Sequence, residues 1–202
     1  AAMAYGTNTI RPVDKIFGPG NAYVMEAKRQ VFGAVAIDLL PGPSEILVLS
    51  DATGNPAFIA ADLLAQAEHG GDSVILFASD SADLLTATQA EIDRQAETLT
   101  RQGPLQKVLE ESCTLVQVDS IPAQGVELCN AFAPEHLSLI AENDEALLPQ
   151  IRTAGAIFLG NLSPVAVGDF LAGPSHELPT GGAGKGFPGL TVDQFQRRTS
   201  VV

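Results

Sequence analysis

The sequence predicts an α/β protein built on largely parallel sheets with flanking helices. Short apolar runs such as 45–49 (EILVL) and 73–77 (SVILF) have the character of strands buried on both faces. Segments with helical spacing separate these runs, and strands that alternate with helices argue for crossovers between parallel neighbours. Aromatic residues make up only 5% and Trp is absent, which leaves the core to Leu, Val, Ile and Ala.

The elements follow in order. Residues 15–17 read as a short strand stopped by the Gly18-Pro19-Gly20 turn, and 21–32 as a helix with Val24, Ala27 and Val31 at helical spacing. Residues 35–40 are strand-like and end at Pro41-Gly42-Pro43; 45–49 is the first fully buried strand. Asn55-Pro56 starts a helix, because Asn accepts bonds from the free first-turn amides and Pro suits the first helical position. That helix runs to His69 and ends at Gly70-Gly71. After the strand at 73–77 come helices at 83–101 and 105–111, a strand at 113–118 and a helix at 123–132. A strand at 136–140, a helix at 144–151 and a strand at 156–159 complete the alternation. Residues 171–189 are crowded with Gly and Pro, a loop of a length that is functional or disordered in most compact proteins.

A chain of 202 residues can form one large domain, or one domain plus a piece of another. The net charge of −13, with eleven Lys and Arg spread along the chain, excludes the basic patch of a nucleic-acid binder. No apolar run approaches the roughly 20 residues of a membrane span, so no membrane partner is expected. The first residues lack a cationic stretch followed by an apolar one, so no signal peptide is read there and the cytoplasm is the expected compartment. Cys113 and Cys129 have neither CxxC spacing nor a neighbouring His and read as ordinary buried thiols.

Ligands of open parallel sheets sit beyond the carboxyl ends of the strands, and three polar clusters are candidates for such a place. Asp62, Gln66 and His69 share one helix face at i, i+4 and i+7, where a metal could be held; Gln is not a usual zinc ligand, and a solvated His near a helix C-terminus is the plainer alternative. Glu135-His136 sets an acid beside an imidazole between a helix and a strand. Neighbours on an extended segment point to opposite sides, so one is expected to face a ligand and the other the interior. Gly168-Asp169-Phe170 and Gly173-Pro174-Ser175-His176-Glu177 form a Gly-rich loop presenting Asp169 and His176, the alternative being an irregular connection. Gly181-Gly182-Ala183-Gly184-Lys185-Gly186 fails as a phosphate loop, with Gly186 where Ser or Thr belongs, and Gly18-Pro19-Gly20-Asn21 is not GxGxxG. The expected sheet is therefore Rossmann-like without the dinucleotide fingerprint, although the helix N-terminus at Asn21 could receive a cofactor edge.

Taken in order, the motifs resemble those of the histidinol dehydrogenase family: Lys15-Ile16-Phe17-Gly18-Pro19-Gly20-Asn21, Gly42-Pro43-Ser44-Glu45, Gln66-Ala67-Glu68-His69, Ala133-Pro134-Glu135-His136, Ser175-His176-Glu177-Leu178-Pro179-Thr180, and Gly189-Leu190-Thr191-Val192 with Phe195 and Arg197. The resemblance implies oxidation of L-histidinol through L-histidinaldehyde to L-histidine with two NAD, zinc positioning the substrate. It implies zinc ligands at Gln66, His69 and Asp169, catalytic roles for His136 (base for the alcohol proton) and Glu135 (activating water), substrate contacts at Ser44, Gln66, His69, His136, Asp169 and His176, and an NAD contact at Asn21. It moves Asp62 to a structural role. It also implies a homodimer and a chain lacking the family's N-terminal half and C-terminal tail, where a further zinc-ligating His and a neighbouring Glu belong. On that basis residues 1–40 are expected to end a cofactor-side domain, 41–188 to form the second half of the main catalytic domain, and 189–202 to begin the C-terminal segment. Exposed apolar surface, weak zinc binding and no turnover by this chain alone are further expectations. The alternative is a non-catalytic α/β binding or scaffold module derived from the enzyme.

Overall fold

A computed structural model of the chain describes residues 1–170 and 172–202; Leu171, with which the expected loop 171–189 begins, lies outside the described residues. The first part contains a helical turn, α1 (Ala2–Tyr5), then β1 (Lys15–Ile16), α2 (Ala22–Val31) and β2 (Ala36–Ile37). β1 and β2 pair in parallel, Lys15 opposite Ala36 and Ile16 opposite Ile37. Asn21 caps α2, its side-chain oxygen accepting from the amides of Tyr23 at 3.1 Å and Val24 at 3.2 Å.

The expected strand at 35–40 shrinks to Ala36–Ile37 because Asp38 turns inward to an ion pair. Lys28 Nζ lies 2.7 Å from Asp38 Oδ1, with both side chains buried. Lys28 also donates to the Gly18 carbonyl, and the Gly18 amide donates to Asp38 Oδ2 at 2.8 Å. A buried pair persists when such bonds satisfy its remaining valences, and this one fastens the Gly18–Gly20 turn. Gly18 has φ +129°, a conformation that a side chain would strain.

The second sheet is built from β3 (Glu45–Ser50), α3 (Pro56–Ala67), β4 (Val74–Ser79), α4 (Ala82–Ala96), α5 (Gln102–Glu111), β5 (Cys113–Gln117), α6 (Val126–Phe132), β6 (His136–Ile140), α7 (Asp144–Leu147) and β7 (Ala156–Leu159). Its five strands are all parallel, in the order β5-β4-β3-β6-β7. The chain enters at the central strand, builds to one edge and then crosses to the other, so the direction of winding reverses between β3 and β6.

Alternation along the strands makes two cores. Ile46, Val48, Ile75 and Phe77 face the α3–α4–α5 layer, packing with Ile59, Leu63, Ile92 and Leu105. Leu47, Leu49, Leu76, Leu137 and Leu139 face the α6–α7 layer. Asn55 caps α3, accepting from the Ala57 amide at 3.0 Å, and its own amide donates to Asn161 Oδ1 at 2.7 Å.

Several helices are shorter than their spacing predicts, each for a local reason. The expected helix at 83–101 is α4, which ends at Ala96 because the Thr98 hydroxyl and the Gln102 amide take its last carbonyls. The expected helix at 123–132 begins instead as a π-turn over Ile121–Gly125 that includes Pro122. The expected helix at 144–151 gives way at Leu148 to a 3₁₀ turn holding Pro149. α3 stops at Ala67, and the His69 amide bonds back to the Gln66 carbonyl at 3.2 Å.

The C-terminal segment returns to the first sheet. Phe195 stacks on Phe17 with ring centroids 4.0 Å apart, and Lys15 Nζ donates to the Gln194 carbonyl at 2.9 Å. Cys129 is buried, which pushes its thiol up to about 12, and burial also raises Cys113; both are poor nucleophiles. Tyr23, Phe32, Leu162 and Phe170 are large apolar side chains that stand exposed. Among the described residues no helix is long and apolar enough to cross a membrane.

Phe77, on β4, is fully buried between the sheet and the α3–α4–α5 layer. Phe77→Ala is expected to cost about 3–5 kcal/mol, read as a lower urea midpoint with an unchanged slope; an unchanged midpoint would contradict this packing.

Candidate active site at the amino edge of the sheet

The polar clusters gather at the amino ends of the strands, not at the carboxyl ends where the general rule for open sheets directs attention. Ser44 immediately precedes β3, Glu135 immediately precedes β6, and His69 lies between α3 and the start of β4. A cavity of about 480 Å³ is lined by Ser44, His69, Glu135, His136, Asp169 and His176. Beside it a second cavity of about 690 Å³ extends from Ser44 and His69 to Asn21 and Met25.

Local structure aims these groups. α6 ends at Ala133 with φ +57°, the one non-glycine residue with positive φ among those described. That turn delivers Pro134-Glu135 into the sheet, where the Pro134 and Glu135 carbonyls accept from the Gly155 and Ala156 amides, each at 2.9 Å. The β3–β6 register sets Ile46 opposite His136, so Glu45 reaches both Glu135 and His136. The Glu45 amide donates to Glu135 Oε2 at 3.0 Å. His136 Nδ1 lies 3.0 Å from the Glu45 carbonyl. A carbonyl only accepts, so Nδ1 carries the proton and the neutral ring presents a bare Nε2.

His136 Nε2 lies 3.0 Å from His176 Nε2, and the two rings stack with centroids 4.8 Å apart. His176 is then the donor, with Asp169 Oδ1 3.3 Å from the same nitrogen. Glu135 and His136 do not divide between ligand and interior as adjacent strand residues are expected to: both are buried and both line the cavity, His136 Nδ1 lying 3.6 Å from Glu135 Oε2. Glu135 precedes the strand, so the alternation does not yet bind it.

Burial shifts the pair in opposite directions. It raises Glu135 to about 7, against the hydrogen bond from the Glu45 amide. It lowers His136 to about 4, helped by the neighbouring His176. Loss of hydration disfavours the charged form of each.

The metal-ligand expectation fares unevenly. His69 and Asp169 share the cavity wall, and both are exposed. Gln66, one turn earlier on α3, is buried, and its amide nitrogen has no partner among the described residues. No three His, Cys, Asp or Glu side chains cluster closely enough for a metal among the described residues. The donor types nevertheless fit zinc at His69 and Asp169, and an amide flip turns the orphaned end of Gln66 into an oxygen donor. Asp62 is structural: its Oδ1 accepts from the Val165 amide at 3.2 Å, fixing to α3 the 3₁₀ turn Val165–Asp169 that presents Asp169. Asn21 stands on the neighbouring cavity.

Sequence reasoning passed over Glu45. Its signal was visible, since a charged residue heads a strand buried on both faces and must find partners. It also passed over Lys28 and Asp38; Lys28 stands three residues before Val31, on the buried face of α2.

For Glu135 the pKa is raised on folding, so its stabilising contribution is complete below about 4.5 and is lost as pH rises through about 7. For His136 it is depressed, so that contribution is complete above about 6.5 and is lost as pH falls through about 4. Glu135→Gln cannot ionise, so in urea titrations of the metal-free chain its stability relative to wild type is expected to rise from pH 5 to about pH 7 and then level off. A difference that does not change with pH would refute the shift.

A family model described as Histidinol dehydrogenase matches residues 1–202. The histidinol dehydrogenase of Bacillus subtilis (strain 168) is 50% identical over 203 residues, covering 100% of this chain and 47% of that protein. That of Geobacillus kaustophilus (strain HTA426) is 48% identical over 202 residues, again covering 100% of this chain and 47% of that protein. The crystal structure of histidinol dehydrogenase from Elizabethkingia anophelis superposes with a TM-score of 0.91 at 44% identity, over 95% of this chain and 44% of that one. The chain thus spans about half the length of the curated relatives it matches.

Proposed function

We propose, from the premise that the chain belongs to the histidinol dehydrogenase family, that it carries the proton-transfer and substrate-binding part of an enzyme oxidising L-histidinol through L-histidinaldehyde to L-histidine. The observation that carries this is the convergence of a neutral imidazole and a raised carboxyl, His136 and Glu135, in one cavity with His69 and Asp169. Residues 1–40, holding β1 and β2, are proposed as the end of a cofactor-side domain, 41–188 as catalytic, and 189–202 as the start of a C-terminal segment.

His136 stays uncharged near neutral pH, and the Glu45 carbonyl holds its proton on Nδ1. Its Nε2 accepts the hydroxyl proton of the alcohol as hydride leaves the same carbon. A substrate hydroxyl at Nε2 takes the place of His176, which then lines the pocket together with Ser44. Glu135, at about 7, titrates near neutral pH and takes one proton of a water adding to the aldehyde carbon; the hydrate then gives up the second hydride of the overall reaction, and the acid so formed releases its remaining proton to become the carboxylate. Gln66, His69 and Asp169 would hold zinc, which when bound orients the substrate's amine and imidazole. Asn21, on the neighbouring cavity, would contact NAD, which when bound would supply the hydride acceptor.

The test is a chimera in which this chain replaces the matching part of the Bacillus subtilis enzyme. Histidinol-dependent NADH formation is expected, falling about 10²–10⁴-fold in His136→Ala. In Glu135→Gln the first oxidation persists while the NADH formed per histidinol drops from two toward one. A folded, inactive chimera would favour the non-catalytic scaffold. Separately, His69→Ala is expected to weaken zinc binding by this chain at least about tenfold in competition with a zinc-responsive dye; unaltered affinity would remove His69 from the ligand set.

A further inference from the structure

We propose that Glu45 is a positioning residue whose side chain, by its reach and not its charge, latches the loop bearing His176 against the two residues that its backbone aligns. The inference rests on the function proposed above. Glu45 opens β3, beside β6, and its polar groups serve three parts of the site. Its amide holds Glu135 Oε2 at 3.0 Å, and its carbonyl holds His136 Nδ1 at 3.0 Å. Its Oε1 accepts from the Gly181 amide at 2.9 Å.

Gly181 ends the segment 175–181, which carries His176. The same segment is tied at Thr180, whose hydroxyl oxygen accepts from the Gly42 amide, and at Glu177, whose carbonyl accepts from the Leu190 amide at 2.9 Å. The latch therefore joins the strand that aligns Glu135 and His136 to the loop that sets His176 Nε2 3.0 Å from His136 Nε2. Two facts point to reach as the operative property. Among the described residues Glu45 makes no ion pair, and its buried Oε2 has no hydrogen-bond partner. Burial also pushes its carboxyl toward the uncharged form. One acceptor oxygen, at the distance set by two methylenes, meets Gly181.

Two substitutions separate length from charge. Glu45→Gln keeps the reach and an acceptor oxygen, whereas Glu45→Asp keeps the charge and falls short. Amide exchange in this chain reads the loop directly: in Glu45→Asp the Gly181 amide and its neighbours in 175–181 are expected to exchange about tenfold faster, the size expected for one lost hydrogen bond. In Glu45→Gln the rates are expected to stay within about twofold of wild type. In the chimera, Glu45→Asp is expected to lower kcat more than it changes KM, with Glu45→Gln restoring kcat. Equal effects of the two substitutions, or an undisturbed loop in Glu45→Asp, would overturn the proposal. Should Glu45→Asp fail to fold, Glu45→Gln decides alone: the Gly181 amide must stay protected, and exchange at the rate of an open loop overturns the latch. Exchange is measured without turnover, so an inactive chimera counts against the proposed function and leaves the latch to be judged by exchange.

Discussion

The parallel pairing of β3 with β6 is the constraint from which the site follows. Ile46 lies opposite His136, and that register brings the amide and carbonyl of Glu45 to Glu135 and His136. A slip of one residue would exchange the faces of every side chain on the strand. Such a slip is forbidden here because both faces are buried, one against α3, α4 and α5 and the other against α6 and α7. The apolar core thus fixes the position of polar chemistry that it does not touch.

The same burial sets the protonation states. Glu135 and His136 leave water together, so the acid is held closer to its neutral form and the imidazole is kept uncharged. Around this dry pair the remaining groups are more open: His69 and Asp169 are exposed at the rim, within reach of solvent and ligand. The buried Lys28–Asp38 pair holds the Gly18–Gly20 turn at the edge of the neighbouring cavity, whose wall includes Gly20 and Asn21.

Much of the alternation of strands and helices was legible because EILVL and SVILF are too apolar and too short for anything but buried strands. The helix at Asn55-Pro56 was legible from its cap. The ends of α4 and α7 were not, since they depend on Thr98, Gln102 and Pro149 acting on particular carbonyls and turns. Glu135, His136, Asp169 and His176 stood out as polar residues in loop-adjacent clusters, and the fold brings all four to one cavity. Their edge of the sheet could not be read from local pattern, because Ser44, His69 and Glu135 precede strands and the general rule addresses the loops that follow them. Gln66 and His69 share a helix face as their spacing requires, but Gln66 is buried where His69 is exposed, a difference that spacing does not carry.

The central claim is that the fold hands His136 a fixed tautomer. Long-range proton–nitrogen NMR correlation of its ring, in the metal-free chain at neutral pH, reads this directly. The account predicts a protonated Nδ1 and a bare Nε2. An Nε2-protonated ring or an imidazolium would contradict it, and would mean that the Glu45 carbonyl does not prepare this residue to accept a proton.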